Sequence, residues 1–400
     1  MGTTFNETPR SDRLHIGVFG KRNSGKSSLV NALTGQETAL VSDVAGTTTD
    51  PVYKAMEIHG IGPVVFIDTA GFDDEGELGK MRVEKTSQAM EKTDLALVVF
   101  TGPDMAEELE WLEKIKARHT PVVPVLNKSD LMTEEEAVAL AAEIGKACGV
   151  QPVLASAKEG AGVGEIRSRM IRSLPEDYDA RSITGSVVQT GDLVLLVMPQ
   201  DIQAPKGRLI LPQVQTIRDL LDKKCLVMSV TTDKLQEALA ALARPPKLII
   251  TDSQVFKAVY EKKPAESLLT SFSVLFADYK GDIDYYVKSA SAIETLTEDS
   301  KVLIAEACTH APLSEDIGRE KIPKLLRKKV GPGLTVDLVA GTDFPKDLTP
   351  YQLVIQCGAC MFNRKYVLSR VEQAMAQGVP MSNYGVVIAY LNGILDKISY

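Results

Sequence analysis

Apolar runs separated by polar turns recur along the first 175 residues and predict alternating strands and helices. Strands are expected at 16–19, 52–58, 64–67, 95–100, 122–126 and 153–155, and period-3.6 patterns predict helices at 26–33, 105–116, 134–148 and 163–173. That succession is the pattern of a doubly wound α/β sheet, assigned to residues 1–175. A polar, turn-rich stretch at 175–190 marks a boundary. Beyond it a small α/β domain is expected over 186–263, with strands at 193–198, 225–230 and 248–250 and helices at 214–222 and 235–242. After a further break near Glu261–Pro264, a third α/β domain is expected over 267–400. Its strands are placed at 272–277, 301–305, 334–339 and 353–355, and its helices at 320–327 and 365–374.

Chemistry enters where the strands end. The segment Gly20-Lys21-Arg22-Asn23-Ser24-Gly25-Lys26-Ser27 follows the first strand and leads into a helix through Ser28. Glycines there let several backbone N–H groups converge on one anion, and the helix adds its positive end. Lys26 is expected to reach the β/γ-phosphates, and the Ser27 hydroxyl to bind Mg²⁺. Asp68-Thr69-Ala70-Gly71 closes the strand at 64–67. Its carboxylate is expected to hold Mg²⁺ through water, and Gly71 to leave room for a γ-phosphate. Asn127-Lys128-Ser129-Asp130 closes the strand at 122–126, and Asp130 is expected to accept from N1–H and the 2-amino group of guanine, which adenine lacks. Ser156-Ala157-Lys158 is expected to give a backbone contact to the guanine oxygen. Four such segments, in order and each at a strand end, define a GTPase.

Composition narrows the partners. At 400 residues the chain exceeds one ordinary core, and 44% hydrophobic with 24% charged residues reads as globular. The formal charge of −8 suggests no general affinity for nucleic acid, and no apolar run approaches a membrane span. A polar start over 1–13 lacks the apolar core of a signal peptide, so a cytoplasmic protein is expected. The five cysteines are odd in number, which argues against a disulfide framework. Cys148 and Cys225 read as buried fillers. Cys308, two residues before His310, and the pair Cys357 and Cys360 form a C-x-H and a C-x-x-C. That set suits a Cys₃His zinc site or an iron–sulfur cluster with one iron open to an exchangeable ligand, and the spacing leaves both open. A thiol redox role would need neither Cys308 nor His310.

The nucleotide-binding segments, with Ala45-Gly46-Thr47-Thr48-Thr49-Asp50, resemble the TrmE–Era–Septin branch of translation-factor-like GTPases. The resemblance implies that Thr48 binds Mg²⁺. It also implies that Asn23, with the switch loop from Ser42 to Thr47, binds K⁺ in place of an arginine finger. Phe72 stands where Ras-like proteins carry a water-orienting glutamine, so slow, K⁺-stimulated hydrolysis is expected.

The whole chain, including its C-x-H … C-x-x-C and the segment from Asp201 to Pro212, resembles the FeFe-hydrogenase H-cluster maturation GTPases (HydF). The resemblance implies a 4Fe–4S cluster held by Cys308, Cys357 and Cys360, and a homodimer formed through the middle domain. It further implies a scaffold that receives a two-iron precursor from radical-SAM maturases and delivers it to apo FeFe-hydrogenase. One position departs from the family pattern: Gln356 stands where histidine commonly precedes the C-x-x-C. The fourth-ligand candidates are therefore His310, Glu315, Asp316 or water. The rival expectation is a TrmE/Era-like GTPase acting on RNA or ribosomes, with a zinc-stabilised last domain. Such a domain would carry a basic face, and only the stretch from Arg319 to Lys329 is locally basic.

Overall fold

The structure is a computed structural model that describes residues 8–35, 51–58, 60–69, 76–174, 181–199, 209–307 and 316–400. It forms two compact units, Met1–Asp179 and Ala180–Tyr400. Among the described residues no helix is long and apolar enough to cross a membrane.

The first unit is built on six strands: β1 (Leu14–Phe19), β2 (Val52–Ile58), β3 (Gly62–Asp68), β4 (Leu95–Phe100), β5 (Val122–Leu126) and β6 (Val153–Leu154). They lie in the order β2-β3-β1-β4-β5-β6, parallel except that β2 runs antiparallel to β3. Its helices are α1 (Lys26–Thr34), α2 (Gly76–Glu91), α3 (Ala106–Ala117), α4 (Glu134–Cys148) and α5 (Val163–Ser173). Every residue of β1 and β4 is buried, because helices cover both faces. Ile16, Val18, Leu97 and Val99 pack with Leu29 and Ile166 on one face, while Phe19, Ala96, Val98 and Phe100 pack with Leu112 and Ile144 on the other.

The second unit holds two parallel sheets. One contains β7 (Leu193–Val197), β8 (Leu226–Val230), β9 (Leu248–Thr251) and β10 (Leu268–Ser271), ordered β10-β9-β7-β8. The other contains β11 (Lys301–Glu306), β12 (Thr335–Ala340), β13 (Leu353–Gln356) and β14 (Met381–Asn383), ordered β12-β11-β13-β14. The helices are α6 (Leu211–Asp222), α7 (Leu235–Ala241), α8 (Phe256–Tyr260), α9 (Phe272–Lys280), α10 (Ile283–Ala290), α11 (Ile322–Val330), α12 (Arg364–Ala376) and α13 (Tyr384–Leu391).

One expectation is corrected here. The run at 272–277, expected as a strand, is helix α9, opened by Ser271, whose hydroxyl accepts from the Val274 N–H. Its Phe272, Leu275 and Phe276 pack into the core of the first of these sheets, and its Val274 and Ala277 into the core of the second. A helix apolar on two sides loses the one-sided stripe that marks helices in sequence, and so reads as a strand. The first of these sheets extends past the break expected near Glu261–Pro264. β10 lies beyond it yet pairs with β9, and Ala389 of α13 packs with Leu195, Ile249 and Leu269 of the first sheet. Of the segment from Asp201 to Pro212, residues 201–208 lie outside the described residues, and Leu211 and Pro212 open α6.

Candidate nucleotide site and cysteine centre

β1 ends in mid-sheet, and the chain turns through residues 20–25 into α1. Gly25 has φ +85°, and a Cβ added there would collide with the side-chain amide of Asn127, so two separate constraints require glycine. Asn23, exposed, sits at φ 59°, a conformation asparagine tolerates. The buried Lys26 donates to the carbonyls of Gly20 at 2.9 Å and Lys21 at 2.7 Å, which holds its ammonium within the loop. Lys21 itself donates to the Asp104 carboxylate at 2.7 Å, tying the outer flank of the loop to the start of α3.

Asp68 ends β3, and its Oδ2 accepts from the Ser27 hydroxyl at 2.5 Å. Among the described residues its Oδ1 is buried without a hydrogen-bond partner. Burial pushes this carboxyl above its ordinary range, while the Ser27 bond and the charges of Lys26 and Lys54 pull it back. An orphaned carboxylate oxygen beside a hydroxyl is hard-cation chemistry, so this pair fits the Mg²⁺ that a nucleotide brings. Ser24 Oγ in the loop is likewise buried and, among the described residues, has no partner.

Asn127 has a role that its motif did not reveal. It is 1% exposed; its Nδ2 donates to the Ser24 carbonyl at 2.9 Å, and its Oδ1 accepts from the Ala157 N–H at 3.0 Å. One side chain thus fastens the phosphate loop to the Ser156–Lys158 loop. Lys128 takes a left-handed backbone, φ 61°, which turns the chain so that Asp130 is exposed beside Ser156. The bond to the Ser156 hydroxyl holds the Asp130 carboxyl below its usual range, so it stays an acceptor near neutral pH. Lys158 is exposed, 3.3 Å from Glu159. Thr47, Thr48, Gly71 and Phe72 lie outside the described residues, as does the loop from Ser42.

In the second unit Cys357 follows β13, and Ala359, at φ 49°, turns the chain to Cys360. Cys357 Sγ accepts from the N–H of Ala307 at 3.1 Å and of Ala359 at 3.4 Å. Ala307 immediately precedes Cys308, but Cys308, His310 and Glu315 lie outside the described residues. Among the described residues no three His, Cys, Asp or Glu side chains form a metal-binding group. Burial pushes the Cys357 thiol up to about 11, and Cys360 adds to this; the two N–H bonds and Arg370 oppose it. Backbone N–H donors at a cysteine sulfur favour the thiolate that iron binds, so this end of the site fits a thiolate-held cluster.

Gln356 pairs with Ala305 and Asn383, in register with Leu303, Val354 and Met381 two residues earlier, and so shares their face of the sheet. Cys357 instead packs against the cluster of Ile304 and Ile355, on the opposite face. The departure at Gln356 therefore lies on the side of the sheet away from Cys357. Asp316 caps the turn that follows it, one oxygen accepting from the Gly318 and Arg319 N–H groups at 2.9 Å. Cys148 packs beside the Trp111 core and burial raises its thiol to about 11. Cys225 is buried and donates to the Gln189 carbonyl at 3.4 Å.

These features define the class: the first unit is a P-loop GTPase domain. A model described as a 50S ribosome-binding GTPase matches residues 15–128. A hydrogen maturase F dimerization domain matches residues 183–281, and a hydrogen maturase F tetramerization domain matches 284–399. Together the last two cover more than half of the chain, which belongs to the hydrogen maturase F (HydF) family.

Among curated proteins, the chain is 43% identical over 129 residues to GTPase Der of Wolinella succinogenes, covering 30% of this chain and 27% of that protein. It is 36% identical over 161 residues to the tRNA modification GTPase MnmE of Bordetella petrii, covering 40% of this chain and 33% of that one. The chain thus spans about a third or less of these two relatives, and both likenesses fit the TrmE/Era-like branch. Among solved structures, Aquifex aeolicus Era bound to GDP and AlF₄⁻ matches at 21% identity and a TM-score of 0.36, covering 57% of this chain and 98% of that one. The family descriptions support an oligomeric protein, and the second adds assembly to what was expected of the last domain.

Proposed function

We propose that this chain is a GTP-hydrolysing scaffold of hydrogenase maturation, carrying the two-iron precursor of the H-cluster to apo FeFe-hydrogenase. The observation that carries the reading is Cys357, which receives two backbone N–H bonds at a strand end, in a chain whose other unit holds a phosphate loop. The family membership agrees with it.

In the GTPase domain, assigned to residues 1–175, Lys26 balances the β/γ-phosphate charge. Ser27, Asp68 and Thr48 hold Mg²⁺, and Gly71 gives a backbone contact to the γ-phosphate. Asp130 reads guanine, and Ala157 contacts its oxygen through the backbone. Asn23 and Thr47 hold K⁺, so replacing K⁺ by Na⁺ slows GTP hydrolysis by about tenfold or more, on the scale of removing one charge-stabilising group. Asn23→Ala abolishes that difference, and equal rates of the unaltered protein in both salts would refute the cation role.

In the last domain Cys308, Cys357 and Cys360 hold a 4Fe–4S cluster, with His310, Glu315 or Asp316 as candidates at the fourth iron. That cluster supplies an anchoring point for the iron cargo. The middle domain, assigned to 186–263, forms the homodimer. Its edge strand β8 supports this, since Leu226 there and Leu221 just before it are exposed. The partners are radical-SAM maturases and apo-hydrogenase in the cytoplasm.

The test is activation. Chain purified from cells that also express the radical-SAM maturases should activate apo-hydrogenase, and chain from cells lacking them should not. Equal activation by both preparations, or by neither, counts against the scaffold.

A further inference from the structure

Arg370 of α12 is 2% exposed, and its guanidinium carbon lies 4.6 Å from the ring centres of Phe344 and Phe362 and 4.8 Å from that of Tyr366. One terminal nitrogen, Nη2, donates to the Gly341 carbonyl at 2.6 Å and to the Tyr366 hydroxyl at 3.3 Å. Its Nε and Nη1 are buried and have no hydrogen-bond partner among the described residues. Among the described residues no carboxylate pairs with it. Three aromatic faces offset only part of the cost of burying an unpaired ion. Among the described residues the cation thus lacks an anion.

The candidate anion is next to it. Phe362, one of the three rings, packs with Cys357, Ala307, Ala359 and Val367 in one small cluster. A second buried cation, Lys280, donates to the backbone carbonyls of Cys360 at 3.4 Å and Phe362 at 2.9 Å, fixing the same segment. Thiolate-held iron–sulfur clusters are anionic, and their potentials follow the charges and hydrogen bonds around them.

We propose that Arg370 supplies the counter-charge of the iron–sulfur cluster held at Cys357 and Cys360, its two unused N–H groups serving that anion. The inference rests on the cluster reading given above. Arg370 is then a positioning and potential-setting residue, and its positive charge favours the reduced, more negative cluster.

The experiment reconstitutes the full-length chain anaerobically as wild type, Arg370→Met and Arg370→Lys. It measures iron and sulfide content, the midpoint potential by EPR-monitored titration, and thermal unfolding of the metal-free protein. Methionine keeps an apolar stem among the three rings, so the metal-free Met variant unfolds no earlier than wild type. Its cluster should be harder to reduce by at least tenfold in the equilibrium, 59 mV for one electron. The Lys variant, which keeps the charge, should stay within about threefold of wild type, or 28 mV on the same scale. A Met potential within threefold of wild type overturns the proposal, as does a Lys potential that falls as far as Met. If the Met variant does not fold, Arg370→Gln takes its place on the same criteria. A wild-type chain that takes up no iron instead overturns the cluster reading itself.

Discussion

Serine at Cys357 or Cys360 removes the 4Fe–4S signal of the reconstituted protein, and hydrogenase activation is lost with it. Cys357 Sγ collects the N–H bonds of Ala307 and Ala359, which favour a thiolate; a serine hydroxyl there stays neutral and is a poor ligand for iron. Cys308→Ser gives the same result. GTP hydrolysis in all three variants changes by less than about twofold, because the phosphate loop and the cysteines lie in separate compact units and share no partners among the described residues. Cys148→Ser and Cys225→Ser leave the signal intact, since each thiol packs into a core far along the chain from the C-x-x-C. Iron, sulfide and EPR measurements on the five variants check this. A full signal in the Cys357 or Cys360 variant would remove the cysteine assignment.

Alanine at Asn127 weakens GTP binding by about a hundredfold. The substitution leaves the Ser24 carbonyl and the Ala157 N–H without their partner, and each buried group so stranded costs about 1–3 kcal/mol. At about 1.4 kcal/mol per tenfold, the two together reach that size. Asn127 need not touch the nucleotide for the effect to appear, since it holds the phosphate loop against the loop that contacts the base. Equilibrium binding of a fluorescent GTP analogue measures it, with thermal unfolding to confirm that the variant is folded. An affinity within threefold of wild type would show that the two loops hold their places without the amide.

The nucleotide site was legible because its signals are local. Gly20, Gly25, Lys26 and Ser27 sit within one turn, and β1 and β4 read as unbroken apolar runs because both their faces are covered. What escaped the sequence is non-local. Helix α9 reads as a strand in sequence because its two faces serve two different sheets. β10 and β14 are 4 and 3 residues long, too short for a periodic pattern to stand out. The bridging role of Asn127 depends on residues 103 positions earlier and 30 later. Arg370 reads as an ordinary helical arginine until Phe344 and Phe362, from separate segments, close over it. The side on which Gln356 lies was available from strand alternation, but only once β13 was paired with β11 and β14.

The central claim is that one chain joins a GTPase domain to an iron–sulfur scaffold. Its most direct test is the metal content of the full-length chain, reconstituted without oxygen and freed of loosely bound ions. The account predicts a brown protein with about four iron and four sulfide per chain and a 4Fe–4S EPR signal on reduction. A colourless protein that holds one zinc tightly and takes up no iron would contradict it, and would favour a GTPase acting on RNA or ribosomes instead.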